Sequence, residues 1–263
     1  MTAAAADYYF ANDVSQTVIC MFYPDERNPL PSLRTSGCLV LCTLILVACV
    51  VPLLLVNAAQ SALENLHLSP GAAMLVLFAT VLGSPINLPL VRYPLPNEVE
   101  VPVLHPLAGT PGYPQYRRLR QEMLVAVNVG GCIVPLLLAV WLLRHIVAGP
   151  PAVLTTLLAG VVLNTAVCWY FARPVRGFGI ALPLFIPAAV ALTVTWAGLG
   201  RDAALEDFLA PVAFVSGISG PLFGADLLHW KDFQKVSAGV VSIGGAGTWD
   251  GIVVAGLLSA LLA

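Results

Sequence analysis

Charged residues are scarce in this chain. Only 10% of its 263 residues are Asp, Glu, Lys or Arg, whereas 59% are hydrophobic. Ordinary soluble domains carry about 25% charged residues, so this composition indicates an integral membrane protein. The net charge is only -2. No broad basic surface is therefore available for nucleic acid, and we expect no nucleic-acid partner.

The sequence also lacks the features of a processed, disulfide-stabilised secreted protein. The first long apolar run begins near Gly37 and is preceded by four acidic residues, at Asp7, Asp13, Asp25 and Glu26, with no basic segment at the N-terminus. We therefore expect no cleavable signal peptide. Five of the six cysteines lie in apolar segments, where a free cysteine commonly behaves as a small hydrophobe. We expect no disulfide, no bound metal and no cofactor.

Long apolar runs are abundant. About 20 apolar residues span a bilayer as a helix, and seven segments meet that length, at 37–56, 69–89, 123–147, 151–172, 179–199, 208–227 and 236–263. The sequence thus predicts an all-α integral membrane protein with about seven transmembrane helices. Residues 37–263 are predicted to form a single polytopic membrane domain, preceded by a cytoplasmic leader at 1–36 and containing a proline-rich cytoplasmic loop at 91–122.

The basic residues predict the orientation. With seven spans, two basic residues, Arg144 and Arg201, fall on one side, and the other ten of the twelve fall on the side of the N-terminus. Lysine and arginine accumulate on the cytoplasmic side of membrane proteins. We therefore expect the N-terminus in the cytoplasm and the C-terminus outside.

Residues that weaken helices are concentrated in the half of the spans predicted to be cytoplasmic. They form five clusters, at 83–89, 128–131, 173–179, 217–226 and 244–250. Each glycine weakens a helix by about 1 kcal/mol relative to alanine, and irregular backbone at membrane depth is tolerated only inside protein or around a cavity. We predict that several helices are broken by Gly or Pro in this half and surround a polar cavity.

Two aspartates are the strongest candidates for a site in that cavity. Of the fourteen acidic residues, only Asp226 and Asp250 lie within predicted spans. A charged side chain at membrane depth is energetically costly, so such residues commonly mark functional sites. They are also the candidates for catalysis, if the protein is an enzyme. The full set of candidate ligand-binding residues is Asn87, Asn128, Arg173, Asp226, Gly244, Gly245, Gly247, Thr248 and Asp250.

Several of these residues lie in motifs that together suggest a family. The most specific is Ser-Ile-Gly-Gly-Ala-Gly-Thr-Trp-Asp-Gly at 242–251, and weaker motifs precede it in order at 84–89, 127–131, 172–175 and 224–228. With these motifs the chain resembles an uncharacterised family of prokaryotic multi-pass membrane proteins that is known only as a domain of unknown function, over nearly everything after Gly37. The resemblance implies the multi-pass fold and a prokaryotic inner membrane, but no activity.

The first hypothesis for function is that the cavity binds or transports an ion or small solute. Broken helices in transporters place carboxylates and freed backbone groups around such ligands. The structural alternative for Asp250 is a place in the first turn of a half-helix that begins at Thr248, with Thr248 as its N-cap. For Asp226 the alternative is a carboxylate at the water interface.

Two other classes of function stay open. An intramembrane aspartyl hydrolase would use Asp226 and Asp250 as a pair that shares a proton, although the Tyr-Asp, Gly-x-Gly-Asp and Pro-Ala-Leu motifs of such proteases are missing. A structural or accessory subunit would bind partner membrane subunits through close helix packing. The spacings Gly220-x-x-x-Gly224 and Gly247-x-x-x-Gly251 suit such packing.

The unequal distribution of basic residues makes the topology testable. After Ala263, a reporter that functions only outside the cytoplasm should be active. Before the first span, a reporter that functions only inside the cytoplasm should be active. Activity of the C-terminal fusion in the cytoplasm would contradict an odd number of spans.

Overall fold

The computed structural model describes residues 33–102, 110, 116–175, 179–233, 239–245 and 250–263. Residues 1–32, most of the predicted leader, lie outside the described residues. Within the chain, two compact units are distinguished, one through Val56 and one from Asn57 to Ala263. The expectation of a single membrane domain over 37–263 therefore stays a prediction.

The first unit contains most of a long helix, α1 (Leu33–Glu64). Its apolar side chains are exposed, with 62% of Leu46 and 61% of Leu53 accessible. A helix that is apolar on all sides suits a hydrocarbon environment. Its stretch Thr43–Glu64 is long and apolar enough to cross a membrane, and the helix begins a few residues before the predicted 37.

The second unit carries the remaining α-helices of the described residues. Each corresponds to one of the predicted apolar segments, and only α3 passes the end of its segment, by one residue: α2 (Pro70–Gly83), α3 (Val134–Ala148), α4 (Pro151–Phe171), α5 (Ile186–Leu199), α6 (Leu209–Ser219) and α7 (Gly251–Leu262). The all-α membrane class is confirmed. Among the described residues four helical stretches are long enough to cross a membrane. Because α2, α5 and α7 are shorter, the number of seven crossings stays a prediction.

Non-α segments extend two of the helices, as the glycine and proline clusters predict. A π-helical turn, Val129–Ile133, precedes α3, and a π-helix, Gly220–Leu227, follows α6. Pro221 lacks a backbone N–H, so the usual α-helical hydrogen bond to the carbonyl of Gly217 cannot form. The wider π-helix, which begins at Gly220, contains this position. A 3-10 helix, Ala203–Phe208, leads into α6 from the other end.

A three-stranded sheet lies beside the broken helices. Strands β1 (Asn87–Pro102) and β2 (Tyr116–Asn128) form an antiparallel hairpin, and β5 (Val240–Ile243) pairs with β2 in parallel. We call the end of the helices at this sheet the sheet end. Two further strands, β3 (Arg173–Val175) and β4 (Gly179–Ala181), form a separate hairpin.

The hairpin lies where we expected the proline-rich loop at 91–122, and the cytoplasmic position of this segment stays a prediction. The alternation of Glu98 to Val101 predicts a short strand, and these residues do lie in β1. The pairing register shifts at Pro89/Val91 and at Pro94/Glu98, because proline cannot donate a hydrogen bond to the ladder. The prolines are thus accommodated within a long strand. Residues 103–109 and 111–115 lie outside the described residues.

Helix α6 is the centre of the second unit. All eleven of its residues are buried, and α4, α5 and α7 pack around it. Glycines permit the close approach of α7: a Cβ on Gly217 would lie 2.6 Å from the Ser259 hydroxyl, and one on Gly256 would lie 2.8 Å from the Phe214 ring. The helix that carries Asp226 at its extension is therefore held firmly by its neighbours.

A second close approach joins α2 to the start of α3. A Cβ on Gly130 would overlap the backbone carbonyl of Thr80 and would lie 2.6 Å from the backbone nitrogen of Ser84. Because both neighbours are backbone atoms, they cannot rotate away. By contrast, Gly71 in α2 has no atom within 4 Å of the corresponding position.

These two glycines provide a matched test of the packing. Gly130→Ala should lower the free energy of unfolding by about 1–3 kcal/mol, since it overpacks a backbone crossing. Gly71→Ala should leave stability unchanged or raise it by up to about 1 kcal/mol through helix propensity. Thermal unfolding of the detergent-solubilised variants measures both effects. Equal stability of the two variants would argue against the crossing.

Candidate functional site

Asn128 joins three elements at the sheet end. Its side chain is fully buried. Its Oδ1 accepts a hydrogen bond from the backbone N–H of Gly131 at 2.7 Å and so caps the π-helical turn. Its Nδ2 donates to the carbonyl of Ser84 at 2.6 Å and to Oδ1 of Asn87 at 3.1 Å. One buried amide thus fixes the end of α2, the start of β1 and the start of α3.

Asn87 connects this network to the closing motif. Asn87 and Asn128 are direct partners in the β1–β2 register, and Ser242 pairs with Ala126 across β2 and β5. The hydroxyl of Ser242 donates to Oδ1 of Asn87. The structure therefore brings together three of the sequence motifs, those at 84–89, 127–131 and 242–251.

Gly244 seats the closing motif against the start of α3. Its backbone has φ +70°, and a Cβ at this position would lie 2.7 Å from the carbonyl carbon of Gly131 and 2.8 Å from the nitrogen of Cys132. Only glycine combines this left-handed conformation with so close an approach. Gly245 follows it on the surface, and its N–H donates to the Ser242 carbonyl at 3.0 Å to close the turn.

Asp226 and Asp250 lie in one electrostatic cluster beside this turn. Asp226, in the π-helix, accepts a hydrogen bond from the backbone of Gly244 and interacts electrostatically with Asp250. Both carboxylates act electrostatically on Cys132. Each aspartate is half-buried. The two residues that the sequence selects as central candidates are therefore neighbours at the sheet end.

The start of α7 differs from the prediction. The helix begins at Gly251, and Asp250 is its N-cap: Oδ1 accepts from the N–H of Ile252 at 3.0 Å. With Thr248 as the expected N-cap, Asp250 would lie in the first turn, and the observed cap lies two residues later. A carboxylate is a strong N-cap because it accepts a free N–H and faces the positive end of the helix dipole. Gly247 and Thr248 themselves lie outside the described residues.

Arg173 does not join the cluster. Its side chain is exposed, and among the described residues it forms no hydrogen bond or ion pair with the other candidates. Pro174 disfavours helical backbone at the preceding residue, so α4 ends at Phe171 and Arg173 starts the β3–β4 hairpin. This placement separates Arg173 from the other candidates, and its part in ligand binding stays a prediction.

Asn164 is a buried polar residue that the sequence analysis did not select. It lies in α4, and its Nδ2 donates to the carbonyl of Ser216 at 2.7 Å and to that of Pro187 at 3.1 Å. Both carbonyls belong to neighbouring helices, and the carbonyl of Ser216 lies just before the π-helix. The sequence feature that could have identified Asn164 was that it is the single asparagine in a predicted apolar span.

The glycines of the π-helix pack within the chain. A Cβ on Gly220 would lie 2.6 Å from Sγ of Cys168, and one on Gly224 would lie 2.9 Å from Cβ of Cys168. The carbonyl of Gly224 also lies 3.0 Å from Nδ1 of the buried His229. The spacing Gly220-x-x-x-Gly224, which we considered for a partner subunit, is thus occupied by α4 of the same chain.

The amide network predicts a specific loss of stability. Asn128→Ala removes the partners of the Gly131 N–H and the Ser84 carbonyl in a buried site, where each unsatisfied group costs about 1–3 kcal/mol. Asn65→Ala removes one hydrogen bond, from Nδ2 to the Ala260 carbonyl at 3.1 Å, at an exposed residue. It should cost about 1 kcal/mol or less. Chemical or thermal unfolding compares the two, and an equal loss would contradict the role of Asn128.

Comparison with known proteins identifies the family. The family model described as "Protein of unknown function (DUF1614)" matches residues 81–262, a range that contains all the candidate residues. No curated protein and no solved structure matches the chain. Since the match covers more than half of the sequence, the chain belongs to the DUF1614 family of membrane proteins of unknown function.

Proposed function

We propose that this protein binds a small cation between Asp226 and Asp250 as a step in its transport across the membrane. The observation that carries the proposal is that Asp226 in the π-helix and Asp250 at the start of α7 lie where these two helices meet, since a Cβ on Gly251 would lie 4.0 Å from Cβ of Pro221. Two negative charges held near each other repel, and a bound cation removes that repulsion.

The backbone around the site favours a cation over an anion. Anionic solutes bind at free helix N-termini, but the first turn of α7 already uses the carboxylate of Asp250 as its cap. The positive end of this helix is therefore occupied by the protein itself. Irregular segments such as the π-helix are also where transporters expose backbone oxygens to bound cations.

The ligands suit an alkali cation or a proton. In the part of the chain that the structure describes, no three His, Cys, Asp or Glu side chains are grouped as metal ligands. Hard cations prefer carboxylate and carbonyl oxygens, and both are available where the π-helix meets α7. A transition metal is less well matched to this arrangement.

We place the sheet end at the cytoplasmic face of a prokaryotic inner membrane. The support is the excess of lysine and arginine on the side of the N-terminus, together with the resemblance that the sequence motifs suggest. The site would then exchange its cation with the cytoplasm.

Cation-dependent stability tests the proposal. The melting temperature of the detergent-solubilised protein is measured in lithium, sodium, potassium and choline chloride at one ionic strength, and across pH 5 to 8. A cation at 100 times its dissociation constant stabilises the folded state by about 2.7 kcal/mol. Wild type should therefore melt at a clearly higher temperature with one of these cations or with protons. Asp226→Asn and Asp250→Asn should each lose this response.

Glu206→Gln is the matched control, since Glu206 is an exposed carboxylate in the 3-10 helix before α6. It should keep the wild-type response. Asn can still cap a helix, so Asp250→Asn should remain folded. An identical response of wild type and both aspartate variants to every cation and pH would refute the proposal.

A further inference from the structure

A pocket of about 60 Å³ lies among α1, α2, α3, α6 and α7, away from the two aspartates. Its lining is apolar except for Thr80, and the hydroxyl of Thr80 already donates to the carbonyl of Val76 at 2.9 Å. The lining therefore has no free hydroxyl hydrogen to donate, and its surface is almost entirely apolar.

The pocket has a buried floor and an open rim. Leu63, Leu138, Phe214 and Val253 line it and are buried, whereas the lining residues Val76 and Leu77 are half-buried. Single half-buried residues of α1, α3 and α7 also line the pocket, whereas α2 contributes two adjacent ones. The mouth therefore includes the α2 side.

The surface around the mouth is apolar. Leu75 and Phe78, which flank Val76 and Leu77 in α2, are 68% and 59% exposed. In a membrane protein such a face contacts lipid chains rather than water. The molecules that reach the mouth are therefore the acyl chains of the bilayer.

The depth and size of the pocket fit one such chain. Val253 and Leu257 line the pocket three and seven residues after Asp250, which is about 5 and 10 Å along a helix. A water-sized group takes about 10–15 Å³ of such a volume, so the pocket has room for roughly four to six methylene groups. Apolar pockets stay dry, and an empty one loses dispersion contacts that a chain restores.

We propose that this pocket binds a segment of one acyl chain of a membrane phospholipid from the leaflet at the sheet end. The chain enters past Val76 and Leu77 and ends against Phe214 and Val253. This lipid site is independent of the cation site, because it shares no residue with it.

Photolabelling tests the lipid site. The full chain is placed in phosphatidylcholine vesicles that contain a phosphatidylcholine with a diazirine on its acyl chain, and labelled residues are identified by mass spectrometry. We expect label on Phe214 and Val253, which are buried and out of reach of lipids outside the pocket. Val76→Phe fills the mouth and should reduce this label to the level of an unirradiated sample.

Val81→Phe is the matched control, because Val81 lies in the same helix but is 52% exposed. It should keep the wild-type labelling. Leu77→Ala widens the mouth and should keep or increase the label, so the wild type and this variant decide the outcome if Val76→Phe does not fold. Absence of label from Phe214 and Val253 in the wild type overturns the proposal. So does equal labelling in Val76→Phe and Val81→Phe, or cross-links between two copies of the chain at these residues.

Discussion

Backbone polar groups at membrane depth must find partners inside the protein, and this constraint organises the second unit of the chain. Wherever a helix is broken, water is not available to satisfy the free N–H and C=O groups. Side chains take that role here. Asn128 and Asp250 cap the starts of two helices, and Asn164 bonds to the carbonyl of Ser216 next to the π-helix. Each break is therefore stabilised by one polar side chain.

The same constraint separates the roles of the asparagines and the aspartates at the sheet end. The side-chain amides of Asn87 and Asn128 are neutral, and they form hydrogen bonds that hold the structure together. Asp226 and Asp250 differ, because hydrogen bonds from Gly244 and Ile252 satisfy carboxylate oxygens without removing their charge. Neutral groups hold the broken helices together, whereas the two aspartates bring negative charge to the sheet end.

Hydropathy and helix-weakening residues were sufficient to predict much of this arrangement. They predict the apolar helices and the breaks near Gly130, Pro221 and Gly244, and two aspartates on consecutive spans predict their proximity. The parallel pairing of β2 with β5 was not predictable in this way, because Leu124 and Val240 are more than 110 residues apart. Hydropathy also assigned the end of β2 to a helix, since a buried strand and a buried helix have the same apolar composition.

The differences at single residues have a similar origin. Sequence position suggested that Arg173 could face inward, but the local effect of Pro174 on the backbone directs the chain into a surface hairpin. The cap of α7 was assigned to Thr248 because a hydroxyl and a carboxylate two residues apart are both good N-caps. Asn164 was overlooked because its importance depends on carbonyls in two other helices.

The most direct test of the account is a double-mutant cycle of Asp226→Asn and Asp250→Asn, with the free energy of unfolding as the readout. If the broken helices bring the two carboxylates together, the single changes should not add in the double variant, and the coupling should be about 0.5–3 kcal/mol. Effects that add to within about 0.3–0.5 kcal/mol would mean that the two aspartates do not form one site, and would contradict the account.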